Sequence, residues 1–549
     1  MTRPTHSIGF LLVLTGVLVG CTANRPRATS AGLQHLGNHS FKITTASPAA
    51  QSAFDRGLML AYSFSHYAAE QEFRRAMSLD PDCAMAYWGI ALVNGPHINY
   101  PLVPQEKAAV AWEALTKAQS LAVHARPLEQ ALIRALGTRY ANPQPDDRSP
   151  LDTAYADAMR ELWRENPNNA DIGALCAEAL MDLHPWDLWK AGQPQAWTPE
   201  IVQTVERVLQ LDPKHPGANH FYIHIMEASP QPEKAVPAAD ALRTLVPNAS
   251  HMVHMPAHIY IRVGRWEDAA ASNRDAMKVD ALYRAAYPRS GFYAMYMAHN
   301  THFLAFVSMM QGRRADTVRL ARQMVSEVPD DFLKNYTGIA DGFMIFASEA
   351  LMRFGMWEEI LREPEPPATL PLSRALWHFT RTSALTALGR ADEARAERAV
   401  FDQAVALVPK DSAFGNNSAA SLLAIAGKVL DGETSAKAGK FDESIANLRE
   451  AAQLEDNLLY DEPPDWIQPV RHTLGAVLLR AGKTAEAEAV YREDLQRFPE
   501  NGWSLRGLRD ALRQQGKDAD AKLVDARVAK AWAAADVHPT TTCYCQSGN

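Results

Sequence analysis

Cysteine is scarce in this chain, and so are several other features that usually announce a function. Five cysteines in 549 residues are too few to staple a fold of this size together. No G-x-x-x-x-G-K-[ST] loop and no dinucleotide glycine fingerprint appears, so the common nucleotide-binding motifs are missing. No His-Glu-x-x-His is present, which removes the usual zinc-protease signature. Positive charge is not in excess: 55 Lys and Arg stand against 63 Asp and Glu, a formal net charge of −8, so no basic footprint for nucleic acid exists. The single marked apolar run, Ile8 to Val19, is too short to span a bilayer comfortably. Runs of alternating strand character are absent as well, whereas Ala- and Leu-rich helical stretches are long, which argues an all-α chain.

What is present is a repeat. Its clearest unit reads Gly264-Arg-Trp266-x-x-Ala269, then Ala276, the grammar of a helix, a tight turn and a second helix with small residues at packing positions. The same pattern returns from Gly312, Gly355, Gly389, Gly439 (Gly439-x-Phe441-x-x-Ser444-x-x-x-Leu448-x-x-Ala451), Gly482 and Gly516. Asp80-Pro81 and Asp212-Pro213 end second helices, because proline cannot continue one. Gly355 to Gly389 and Gly482 to Gly516 are each 34 residues apart, the tetratricopeptide period, and the other spacings are longer; the chain resembles a tetratricopeptide-repeat protein over most of Ala49 to Ala535. The resemblance implies a right-handed α-solenoid of helix pairs, a general binding architecture without a fixed activity. In such solenoids first helices line a concave groove and second helices form the outside.

Histidine carries the functional signal. Eight of the 18 histidines fall from His215 to His302, and the seven after His215 read His220-x-x-x-His224, His251-x-x-His254-x-x-x-His258 and His299-x-x-His302. Spacings of three, four and seven set each group on one face of a first helix. The repeat register adds Glu178 after Ala177 and Glu349 after Ser348 in the slot that His224 and His258 occupy. A groove wall of Glu178, His220, His224, His251, His254, His258, His299, His302 and Glu349 is therefore expected. Imidazole with carboxylate suits a divalent transition metal such as Zn or Cu. Two histidines at i, i+4 grip one ion and a third ligand comes from the next helix. His220, His224, His254 and His258 are the candidate ligands. The same groups also suit a polar groove for a protein or peptide partner, and buried histidines can serve structure alone. No catalytic constellation is legible.

The ends and loops add further expectations. The segment 1–20 reads as a signal peptide, and Leu18-Val19-Gly20-Cys21 resembles the bacterial lipobox, which implies a diacylated Cys21 and a membrane anchor. Thr22, rather than an Asp, fits delivery to the outer membrane, facing the periplasm or exported. Residues 21–45 read as a flexible tether, 46–535 as solenoid and 536–549 as a polar tail carrying Cys543 and Cys545. With His538, that tail could bind a soft metal, form a disulfide or have no role. An insertion at about 184–199 contains Trp186 and Trp189, which either pack down or line a site. Asp461-Glu-Pro-Pro-Asp465-Trp466 reads as a loop in which Asp465 caps the following helix or which closes over the groove. The expected function is an envelope lipoprotein scaffold; a metal-binding protein is the alternative.

Overall fold

A computed structural model describes residues 33, 35–287 and 292–544. Cys21, the apolar segment before it and Cys545 lie outside these. The chain is an all-α, right-handed solenoid of antiparallel helix pairs, with only two short hairpins of strand among the described residues. Typical pairs are Pro216–Met226 with Val236–Leu245, Tyr293–Met310 with Arg314–Glu327, and Ala419–Lys437 with Phe441–Asp456. The seven turn glycines Gly264, Gly312, Gly355, Gly389, Gly439, Gly482 and Gly516 all take positive φ, between 65° and 77°. That left-handed conformation lets each turn reverse the chain, and a Cβ there is strained.

The two helices of a pair differ in what they bury. Outer helices bury one stripe: Thr198–Leu211 hides Ile201, Thr204, Val205 and Val208, an i, i+3, i+4, i+7 pattern. The inner helix Pro216–Met226 is buried at every position, as a helix enclosed on all sides must be. Its neighbour is interrupted by Pro256, which lacks an N–H, into Ser250–His254 and Pro256–Arg262. Met255 keeps helical dihedrals (φ −50°, ψ −36°), so the histidine spacing survives the break.

The enclosure arises because the solenoid curls onto itself. Trp266 Nε1 donates to Pro499 O at 2.8 Å and Trp503 Nε1 to Met309 O at 3.1 Å. Gln468 Nε2 donates to Glu349 O at 2.8 Å. The last repeats thus press against the middle ones, and the concave side is filled by the chain's own residues instead of standing open.

Both ends are packed down where described. Residues 35–45, expected to belong to a tether, lie along the first repeats: His39 Nε2 is 2.8 Å from Asp171 Oδ1, and Leu36, Phe41 and Ile43 are buried. The tail after Ala535 also docks. The Asp536 carboxylate accepts from Arg314 N and Ala315 N at 2.7 and 2.8 Å, and Thr542 Oγ1 and Tyr491 Oη share a hydrogen bond of 2.6 Å. Cys543 is disulfide-bonded, whereas Cys83 and Cys176 are buried free thiols.

Candidate metal centre

Most of the histidines expected on a groove wall are buried in the interior; His299 is partly exposed. His220 and His254 expose nothing to solvent, and His224, His251 and His258 are no more than 5% exposed. The four ligands His220, His224, His254 and His258 do not meet at one ion. Each i, i+4 pair instead takes a third histidine from the next inner helix. His220 and His224 join His251, and His254 and His258 join His299; within each triad the ligand nitrogens lie within 4.8 Å of one another. His251 stands nearer to His220 and His224, at 4.9 and 5.7 Å between ring centres, than His258 does to His224, at 6.4 Å.

The ring spacing suits a bound ion. A metal–nitrogen distance of about 2.0–2.1 Å puts an imidazole centre about 3 Å from the ion, so three rings around one ion stand roughly 5 Å apart. In the first triad the ring centres are separated by 4.8, 4.9 and 5.7 Å. In the second they are separated by 4.8, 4.7 and 5.6 Å.

Outer groups hold one nitrogen of most rings and leave the other turned inward. His220 Nδ1 is 2.7 Å from Tyr62 O, His224 Nδ1 is 2.9 Å from Glu227 Oε1, and His254 Nδ1 is 2.8 Å from Asn273 Oδ1. His258 Nδ1 makes a close ionic contact of 2.6 Å with Glu227 Oε2 and lies 3.3 Å from Glu462 Oε2. The opposite Nε2 atoms of His220 and His224, and both nitrogens of His251, have no hydrogen-bond partner among the described residues. In the second triad His254 Nε2 and His258 Nε2 share a hydrogen bond of 2.8 Å. Anchoring one imidazole nitrogen to a carbonyl or carboxylate while the other converges is how metal-ligating histidines are oriented.

Electrostatics follow from this enclosure. Burial, together with neighbouring imidazoles, pushes His220, His251, His254 and His299 well below the usual range, so they are neutral and ready to ligate. Burial opposes protonation of His258 too, but Glu227 and Glu462 prevail and raise it to about 10. Burial likewise opposes the charge on Glu227, yet His258 and His224 hold it down at about 2. Glu227 therefore carries the negative charge that serves both triads.

Aromatic rings pack around the centre, and of these Trp186 is exposed to solvent. Phe64 lies 4.7 Å from the His220 ring, Tyr296 4.6 Å from His251, and Phe303 4.9 Å from His258. Trp186, in the insertion, meets His224 edge-on at 5.4 Å, and Trp189 Nε1 donates to Ile225 O. The insertion thus packs down and lines the centre at once. Phe64 and Trp186 are non-glycine residues at φ 54° and 61°. For a bulky side chain that conformation costs about 1–2 kcal/mol, and here both strained residues face the same histidine.

Other expected members stand elsewhere. His302 packs on Phe343 and Phe346, away from both triads, and burial lowers it to about 3. Glu349 and Glu178 are each raised to about 8, by burial and, for Glu178, also by Asp182. Neither belongs to a cluster that could hold an ion. The repeat slot is the same, but these repeats lie outside the histidine-bearing helices. Asp465 does not cap the following helix, which begins at Val470 with Pro469 before it; Asp465 Oδ2 accepts from Asn417 Nδ2 at 2.8 Å. The loop instead closes over the interior and delivers Glu462. Glu227, Glu462, Asn273 and Phe64 carry no spacing signal of their own; only Glu227, three residues after His224, was within reach of a helix-face argument.

No family model and no curated protein matches the chain. Solved structures that resemble it do so at low similarity. Human IFIT1, as a dimer with m7Gppp-AAAA, is 12% identical over 90% of this chain and 92% of its own, with a TM-score of 0.33. Yeast Tom70 is 11% identical over 87% and 88%, at 0.29, and the APC/C hetero-tetramer Cut9-Hcn1 is 12% identical over 84% and 76%, at 0.31. Similarity of this size bears on no question of function.

Proposed function

We propose that this chain is a transition-metal protein whose centre is a pair of adjoining three-histidine sites, His220/His224/His251 and His254/His258/His299. The observation that carries this is the set of unpartnered imidazole nitrogens at the first site, buried and within 4.8 Å of one another. A buried polar atom without a partner costs about 1–3 kcal/mol, so several together need a reason. A metal ion supplies one. Imidazole donors alone suit Cu or Zn better than the hard, oxygen-seeking cations. The solenoid acts as the scaffold that brings three inner helices to the centre. The test is elemental analysis of protein purified without chelator and desalted: two ions per chain are expected, and a metal-free protein that also fails to take up Cu or Zn on titration sinks the reading.

A second reading concerns location and partners. The Leu18-Val19-Gly20-Cys21 pattern supports a lipid-anchored envelope protein, delivered to the outer membrane, with its outward faces free to meet a protein partner as helical repeats do. Cys21→Ser should release the protein from the membrane fraction; unchanged fractionation and processing would count against anchoring.

A further inference from the structure

The N-terminal strap is tied to the supports of the first triad. Residues 40–45 are fastened to the first repeats: Phe41 N donates to Asp55 Oδ1 at 3.1 Å, and Thr44 N to Glu129 Oε1 at 2.9 Å. Residues 35–39 reach from there towards the middle of the solenoid, with Leu36 buried. They lie on the turn before Ser250–His254, where Asn248 N donates to His35 O at 3.2 Å. We propose that residues 35–39 are a clasp that sets the metal affinity of His220/His224/His251 and leaves that of His254/His258/His299 unchanged. This rests on the two-site metal reading above.

Three links join the strap to that triad. First, His39 Nε2 is 2.8 Å from Asp171 Oδ1, and Tyr62 Oη donates to the same oxygen at 2.9 Å. Tyr62 O is the group that holds His220 Nδ1, at 2.7 Å. A chain of contacts through Tyr62 thus runs from the strap to a ligand ring. Second, His215 Nε2 lies 3.4 Å from Asp171 Oδ1, and its Nδ1 accepts from Ala218 N. His215 is thereby the N-cap of Pro216–Met226, the helix that carries His220 and His224. Third, Gly37 takes φ 84°, and a Cβ there would stand 2.4 Å from Leu245 O. The strap backbone therefore rests directly on the turn that leads into the His251 helix. His251 has no outer group on either nitrogen, so the placement of its helix fixes where its ring stands.

His39, Asp171 and His215 also bring ligand atoms within 4.8 Å of one another, but they form a hydrogen-bonded node and not a third ion site. His215 Nδ1 accepts from a backbone N–H, so the proton of the neutral ring sits on Nε2, the atom an ion would need. Asp171 Oδ1 already faces three donors. The second triad has supports of its own. His254 is held by Asn273, and His258 by Glu227 and Glu462; none of these three is hydrogen-bonded to the strap. Docking of the strap and binding of an ion at the first triad favour the same arrangement, and each strengthens the other by the same factor.

The test uses the full-length protein and zinc ion alone, in competition with a metal indicator. His299→Leu leaves the first triad as the complete site, and His251→Leu leaves the second. Adding His39→Ala to His299→Leu should weaken zinc binding about tenfold, the low end for a group that orients a ligand. His39→Gln, which keeps an N–H for Asp171, should restore most of that loss. Adding His39→Ala to His251→Leu should leave the affinity unchanged. In the wild type, saturation with zinc should slow amide hydrogen exchange at residues 35–39. Equal weakening of both triads by His39→Ala, weakening of neither, or wild-type exchange that zinc does not alter would overturn the clasp while leaving the two-site reading intact. Failure of the wild type to bind zinc at all would remove both.

Discussion

His472 and His251 sit in inner helices of the same solenoid, and both are buried, yet their nitrogens are treated in opposite ways. His472 Nδ1 is 2.9 Å from an Arg353 guanidinium nitrogen, and its Nε2 is 2.9 Å from Asp494 Oδ2. Asp494 in turn accepts from Asn501 Nδ2 and Ser504 Oγ. Both ring nitrogens of His472 are spoken for, and the group ties two distant repeats together. His251 has neither nitrogen partnered, and the two histidines facing it each offer a free Nε2. Burial and helical spacing do not separate a structural histidine from a ligand. The number of partnered nitrogens, and whether the free ones converge, does.

The comparison breaks most visibly in stability. His472→Leu strands the Arg353 and Asp494 charges in the interior, and removing one partner of a buried charged network costs about 3–5 kcal/mol. His251→Leu removes two unpartnered nitrogens, so the metal-free protein should lose little and can gain stability. Denaturant unfolding of both variants in EDTA reads the difference. Equal large losses would mean that His251 is structural after all.

Metal content sharpens the same contrast. His251→Leu should lose one ion and keep the other at His254/His258/His299, whereas the folded fraction of His472→Leu should keep both. Glu227→Gln removes the charge shared by His224 and His258. A change in such an outer group usually costs about 10–100-fold in metal affinity, and here both sites should weaken together. Competition titration with a metal indicator measures this; weakening at one site only would contradict the shared role of Glu227.

The smallest effect is a proton count. His258, raised to about 10 by Glu227 and Glu462, is an imidazolium at neutral pH in the metal-free protein. Its folded value lies above the ordinary 6.5, so its ion pair stabilises the metal-free fold below that value and is lost as pH rises through about 10. Metal binding at its site must displace that proton. The first triad, whose histidines are held below 6.5, should release none near neutrality. Calorimetry in buffers of different ionisation enthalpy should give about one proton for one ion and none for the other. Equal release at both sites would show that the Glu227–His258 pair does not hold the proton.

Local features were legible in the chain. The seven glycines marked the turns because no other residue takes that backbone conformation without strain, and the i, i+4 histidines marked the ligand-bearing helices. The closure was not legible. Repeat periodicity describes how each helix pair meets the next, not how far the solenoid bends, and the Trp266–Pro499 contact joins residues 233 positions apart. The same blindness hid Glu462, which reaches His258 from a loop in a distant repeat, and Phe64, whose left-handed backbone no pattern foretells. It also turned a largely buried interior into an expected groove, and grouped four histidines that the fold divides between two triads. The strap at 35–45 and the tail at 536–544 looked polar and irregular, which is how segments docked by hydrogen bonds and a few apolar anchors look in sequence.

The most direct test is an anomalous-difference map from crystals of the metal-loaded protein, recorded on either side of the absorption edge of the metal. Two peaks are expected, one within about 2.0–2.2 Å of nitrogens from His220, His224 and His251, and one similarly placed among His254, His258 and His299. A single peak shared by four histidines, or peaks only at surface carboxylates with both triads empty, would contradict the paired centre.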